Sequence, residues 1–172
     1  MNDIVKHSVR FFSAILVQVL LLNQIEIGFG IQLMIYPLFI LLLPVETKVI
    51  SLLFISFGLG ILIDVFSNTY GLHASAALMF AFIRPRIFKL FDTRDGYDAL
   101  VETNIFNMGL SWFLRTFGTL LFIHHFWFFL IEMFKMNEIA YVFQKTLLSL
   151  PISFAICVLL QSLFVKNQTG KQ

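Results

Sequence analysis

The sequence predicts an all-α integral membrane protein with six transmembrane helices in a single polytopic domain covering residues 1–172. Three observations carry that reading. Only 13% of the 172 residues are charged and 59% are hydrophobic, against about 25% charged in a soluble domain. Such a chain has too little polar surface to cover a water-facing globule, so its solvent is mostly lipid. The apolar runs are also continuous, without the alternation a membrane barrel needs. Finally, Lys and Arg fall unevenly between the two sets of loops.

The first span is expected over 9–27. The stretch "FFSAILVQVLLL" follows Lys6 and Arg10, as in a signal peptide, but "NQIEIGFGIQ" has no A-x-A cleavage site. The second, 31–44, is short for a bilayer of about 30 Å. Pro37 should bend or break it, and Pro44 should end it. The third is 49–66, the fourth 71–83, the fifth 108–131 and the sixth 146–165. Trp112 and Trp127 on span five are placed to mark the two interfacial belts. A polar loop, 84–104, separates spans four and five, with Ile87, Phe88 and Phe91 spaced for a short surface-lying helix.

With both termini inside, nine Lys and Arg lie on the cytoplasmic side and two, Lys135 and Lys145, outside. A five-span alternative gives seven against four. The positive-inside rule therefore favours six spans and cytoplasmic termini. Arg115 lies within span five. It is expected to snorkel to the cytoplasmic surface, the alternative being a buried pair with a group such as Gln18.

Few polar groups interrupt the spans. Asp64 ends span three and His73 opens span four, on two sides of one turn. Ionisable groups in a membrane often mark proton or ligand sites. The reading preferred here is a hairpin clasp, in which Asp64 bonds His73 or backbone donors at the start of span four. Gly60 and Gly71 belong to the same hairpin. Ala74, Ala77 and Ala81 allow span four to approach span three closely. On span six, Ser149, Ser153, Cys157 and Gln161 recur every four residues and should face either other helices or a partner's helix. Arg84, Arg86 and Lys89 at the start of the polar loop are candidates for contact with lipid headgroups or a cytoplasmic protein.

Enzymatic signals are missing. There is no H-E-x-x-H, no G-x-S-x-G and no glycine-rich phosphate loop. Adjacent His124 and His125 point about 100° apart on a helix, poorly placed to share a metal. No cofactor and no nucleic-acid partner is expected.

The order of several motifs resembles the rod shape-determining MreD family. In "GLGILIDVFSNTYGLHASAALMFAFIRP", from Gly58 to Pro85, the matching positions are Gly60, Asp64, Gly71, Leu72, His73, Ala74, Arg84 and Pro85. Asn23, Pro37 and Pro44 in the preceding stretch are similar too, and "RPRIFKLFDTRDGYD" and "IHHFWFFLIEMF" resemble versions from the Bacteroidota. The resemblance implies a non-enzymatic inner-membrane component of the bacterial cell-elongation machinery. Its partners would be MreC, a RodA-type glycan polymerase with its transpeptidase, and MreB filaments. It also implies the six-helix fold of the substrate-binding subunits of energy-coupling-factor transporters. Span one departs from those subunits, because Ala14 stands alone among larger residues. The alternative function is a small-molecule-binding subunit of that transporter type, with an outward pocket lined by Asp64, His73 and Glu26.

Overall fold

The computed structural model describes residues 3–25, 27–91, 102–134 and 136–164. Among these there is no strand, and seven α-helices follow in order: α1 Asp3–Leu20, α2 Tyr36–Leu41, α3 Val49–Ser67, α4 Leu72–Leu90, α5 Ile105–Met108, α6 Leu110–Met133 and α7 Ile139–Phe164. Four stretches are long and apolar enough to cross a bilayer: 4–24, α3, α6 and α7. Their outward faces carry Phe12, Leu16, Phe54, Val65, Leu114 and Leu159, all exposed. Apolar side chains exposed on this scale require a nonpolar solvent and point to a membrane protein. As long as α3, α4 is interrupted by Arg84, Arg86 and Lys89.

The helices pack in sequence, α3 on α4, α4 on α6 and α6 on α7, with α1 against α3. At the centre lies α2, touching α1, α3, α4 and α6. Everything from Leu33 to Leu43 is buried. Phe80, Phe113, Phe117, Phe128 and Phe129 fill the space around it.

The segment 31–44 departs most from expectation. It is not one bent helix. Residues 31–35 are non-helical, and helix begins only at Tyr36, so Pro37 sits in the first turn, where its missing N–H costs nothing. An extended half gains length: at about 3.3 Å per extended and 1.5 Å per helical residue, 31–41 reaches roughly 25 Å. Non-helical backbone is tolerated at membrane depth only when buried and hydrogen-bonded by protein. Here side chains supply the bonds. Gln32 N–H donates to Ser149 Oγ at 3.1 Å and Met34 N–H to Ser153 Oγ at 3.0 Å, both on α7. On the opposite side, Gln18 of α1 takes Ile35 N–H on Oε1 at 2.9 Å and donates Nε2 to the Leu33 carbonyl at 2.7 Å.

Other boundaries move as well. α1 starts at Asp3 and ends at Leu20, before a 3-10 turn at Leu22–Gln24. α7 takes in 139–145, read from sequence as a connection. α4 continues through Pro85 to Leu90. Residues 84–90 are therefore helix, not loop, and Ile87 and Phe88 are buried in the bundle rather than laid on its surface. Of the remaining loop, 92–101 lies outside the described residues, while Thr103 and Asn104 are buried. Trp112 is buried in the bundle, edge-on to Phe88 with ring centroids 5.6 Å apart. Trp127 is half-buried against the core.

Candidate functional site

The α3–α4 hairpin is built around one carboxylate. α3 stops because Asn68 adopts a left-handed conformation, with φ +55°. Gly71, at φ +86°, then sets the entry to α4, a geometry most side chains resist. The first N–H groups of a helix have no partner within it. Asp64 supplies one: Oδ1 accepts from His73 N–H at 3.0 Å and Oδ2 from Ala74 N–H at 2.9 Å. Thr69 Oγ1 donates to Oδ1 at 2.6 Å. A carboxylate at a helix N-terminus is favoured by the dipole as well as by these bonds.

Gly60 sits one turn below, against the same backbone. A Cβ there would lie 2.4 Å from Ala74 Cα and 2.7 Å from Ala74 N. The two helices touch main chain to main chain, and Ala77 and Ala81 continue the buried seam. Asn23 ties α1 to the hairpin, accepting from Gln18 Nε2 at 2.8 Å and donating to Ser67 Oγ at 2.6 Å.

The His73 imidazole does not meet Asp64. Its Nδ1 lies 3.2 Å from the Tyr36 hydroxyl, which in turn is 2.6 Å from His124 Nε2. His125 turns away, with Nδ1 on the Leu121 carbonyl at 2.9 Å and Nε2 3.2 Å from Ser153 Oγ. The two adjacent histidines thus serve different neighbours. No group of three or more metal-ligating side chains occurs among the described residues. Tyr36, the hub of this cluster, carried no signal beyond being the one hydroxyl in an apolar run.

At the opposite end of the bundle, Arg84 is almost fully buried. Its Nη2 donates to the carbonyls of Leu41, at 3.0 Å, of Leu43, and of Pro44, at 3.4 Å. The guanidinium also lies 4.5 Å from the Phe88 ring centre. Carbonyls at the end of α2 have no helical partner, and Arg84 fills that need together with Thr103 Oγ1, 2.8 Å from the Leu41 oxygen. Arg84 is therefore an internal strut and not a lipid or partner contact. Arg86 and Lys89 are exposed, Arg86 lying over Phe82. Glu102 pairs with Arg10, at 3.1 Å, and with Lys6.

The span-six stripe faces inward. Ser149 and Ser153 hold the 31–35 backbone, Cys157 is buried, and Gln161 Oε1 accepts from Ile105 N–H at 2.9 Å. Arg115 is exposed, its Nε on the Ser111 carbonyl, while Gln18 is committed elsewhere. Glu132 bonds Lys145 at 2.7 Å and Gln32 at 3.0 Å.

Above the clasp, between α1, the 22–34 connection and the hairpin turn, lies an open cavity of about 520 Å³. Gln18, Asn23, Ser67, Thr69 and His73 line it. Asp64 does not, being spent on the α4 backbone, and Glu26 lies outside the described residues. Comparison of the chain with family models, with curated proteins and with solved structures finds no match.

Proposed function

We propose that the protein is a six-span scaffold of the bacterial cell-elongation machinery, similar to MreD, with both termini in the cytoplasm. One observation carries the reading. The residues on which the MreD resemblance rests are framework residues here. Asp64, Gly71, His73 and Ala74 form the clasp, Gly60 meets Ala74, and Arg84 secures the stretch ending at Pro44. A framework built from these residues fixes a shape that a partner can bind. Six crossings are supported by the path of 31–44, which runs from Ser149 at one end of the bundle to Arg84 at the other.

The work of such a protein is to hold partners in place: MreC first, then the RodA-type polymerase with its transpeptidase, and through them MreB filaments. Depletion in a rod-shaped host should give rounded cells, and crosslinked membranes should yield an MreC-like protein with the chain. Rods of normal shape, with no such partner recovered, would sink the proposal.

The cavity above the clasp favours a second reading, a small-molecule-binding subunit of the energy-coupling-factor type. Its volume falls within the usual range of about 300–1,000 Å³ for ligand pockets. A small polar molecule retained at stoichiometric levels by the purified protein, and lost in His73→Ala, would establish this reading over the first.

A further inference from the structure

A second cavity of about 500 Å³ lies on the bundle's flank, between α1 and α7. Leu38, Phe39 and Leu42 of the central segment form its floor. Val17 and Ala14 stand on one wall, Leu160 and Phe164 on the other. Such a groove in a membrane-facing flank suits a hydrocarbon chain. Two polar features make it more specific. Arg10 lies in the wall and gives Glu102 one N–H from each terminal nitrogen, out of five donors in a guanidinium. Gln161 also stands in the wall. It is 1% exposed, and its Nε2 is buried with no hydrogen-bond partner among the described residues. A buried amide donor left unpaired costs about 1–3 kcal/mol. That cost disappears when a bound molecule offers an acceptor.

The geometry points to a binding site for one phospholipid with an anionic phosphodiester headgroup. An acyl chain fills the groove over Leu38, Phe39 and Leu42. An ester or phosphate oxygen accepts from Gln161 Nε2, and the phosphate meets Arg10, whose planar fork matches it. Lys6 stands at the same mouth. The site is separate from the exposed Arg86 and Lys89 and does not depend on the scaffold reading.

Native mass spectrometry of the purified full-length protein, titrated with phosphatidylglycerol or phosphatidylcholine, tests the site. Both lipids offer the phosphate and the acyl chain, but phosphatidylcholine adds a trimethylammonium beside Lys6 and Arg10, so phosphatidylglycerol, with net negative charge, should bind about tenfold more tightly. Ala14→Phe and Leu160→Trp fill the groove from opposite walls and leave every charge in place. Each should abolish that preference, and thermal unfolding without lipid checks that each variant folds. Equal binding of the two lipids by the wild-type protein overturns the proposal, whatever the variants do. So does a preference that survives in a folded groove-filling variant, which would place the anion at Arg86 and Lys89. A segment of protein copurifying in the groove and displacing lipid from it would overturn it too.

Discussion

Substituting Gly60 by alanine tests the hairpin most directly. The added Cβ would fall 2.4 Å from Ala74 Cα, 2.7 Å from Ala74 N and 2.8 Å from the His73 carbonyl carbon. Ordinary carbon contacts need about 3.5–4.0 Å. All three obstacles are backbone, so no side chain can swing aside, and α3 and α4 must part by about 1–1.5 Å. Asp64 is on α3, and its two acceptors reach α4 at 3.0 and 2.9 Å. The same displacement carries both bonds beyond the useful limit of about 3.2 Å. Overpacking costs about 1–3 kcal/mol, and weakening bonds to a charged acceptor adds about 1.5–3 kcal/mol. A net loss of about 2–5 kcal/mol is expected, since relaxing one strain deepens the other. The assay is thermal unfolding in detergent micelles, with Gly58→Ala as the control. A Cβ at Gly58 meets nothing within 4 Å, so that variant should unfold with the wild type or slightly above it. If Gly60→Ala and Gly58→Ala unfolded at the same temperature, the close-contact argument would be wrong.

Three further outcomes follow from other contacts. Asp64→Asn should cost about 1–3 kcal/mol, because an amide turns N–H toward a donor at one of three positions; His73→Ala, which keeps the capped backbone, should leave the hairpin intact while removing the contact with the Tyr36 hydroxyl and loosening the packing on Tyr36 and Phe128. Cysteine crosslinking across the α3–α4 turn separates the two effects, and the same loss of crosslinking in both variants would contradict the assignment. Arg84→Gln should destabilise the fold by about 3 kcal/mol, leaving buried carbonyls without donors, whereas Arg86→Gln and Lys89→Gln should be neutral; equal unfolding temperatures for the three would refute Arg84's role. Cys157 is fully buried and should react with a maleimide only on unfolding, which the stoichiometry of labelling in native micelles measures directly.

The clasp was legible in the sequence because it is local. Asp64 and its donors lie within ten residues, and small residues at helical spacing announced a close crossing. The four long apolar stretches were legible for a similar reason, since length and composition alone define them. The central segment was not. Its bonds reach back to Gln18 and forward 117 and 119 residues to Ser149 and Ser153. No local pattern encodes such partners. The brevity of 31–44 and Pro37 announced a defect there, and the α7 stripe announced something polar to satisfy, but only the fold joins the two. Arg84 misled for a physical reason: an arginine after an apolar run usually marks the membrane surface, and here it turns inward to end another helix.

Residues 31–35 also constrain how the chain can be made. A transmembrane helix satisfies its own backbone and can leave the insertion machinery alone. This stretch cannot, because its amide groups are bonded by side chains on the first and last long helices. Until Ser149 and Ser153 have been synthesised, its backbone would enter lipid unpaired, at several kcal/mol per group by general estimates. The order of assembly is therefore dictated by bonding: the segment 31–44 must wait, in water or in the care of an insertase, and be the last to settle although it is among the first to emerge. A chain cut before α7 should accumulate with 31–44 open to protease from one side of the membrane, while α1 is already anchored.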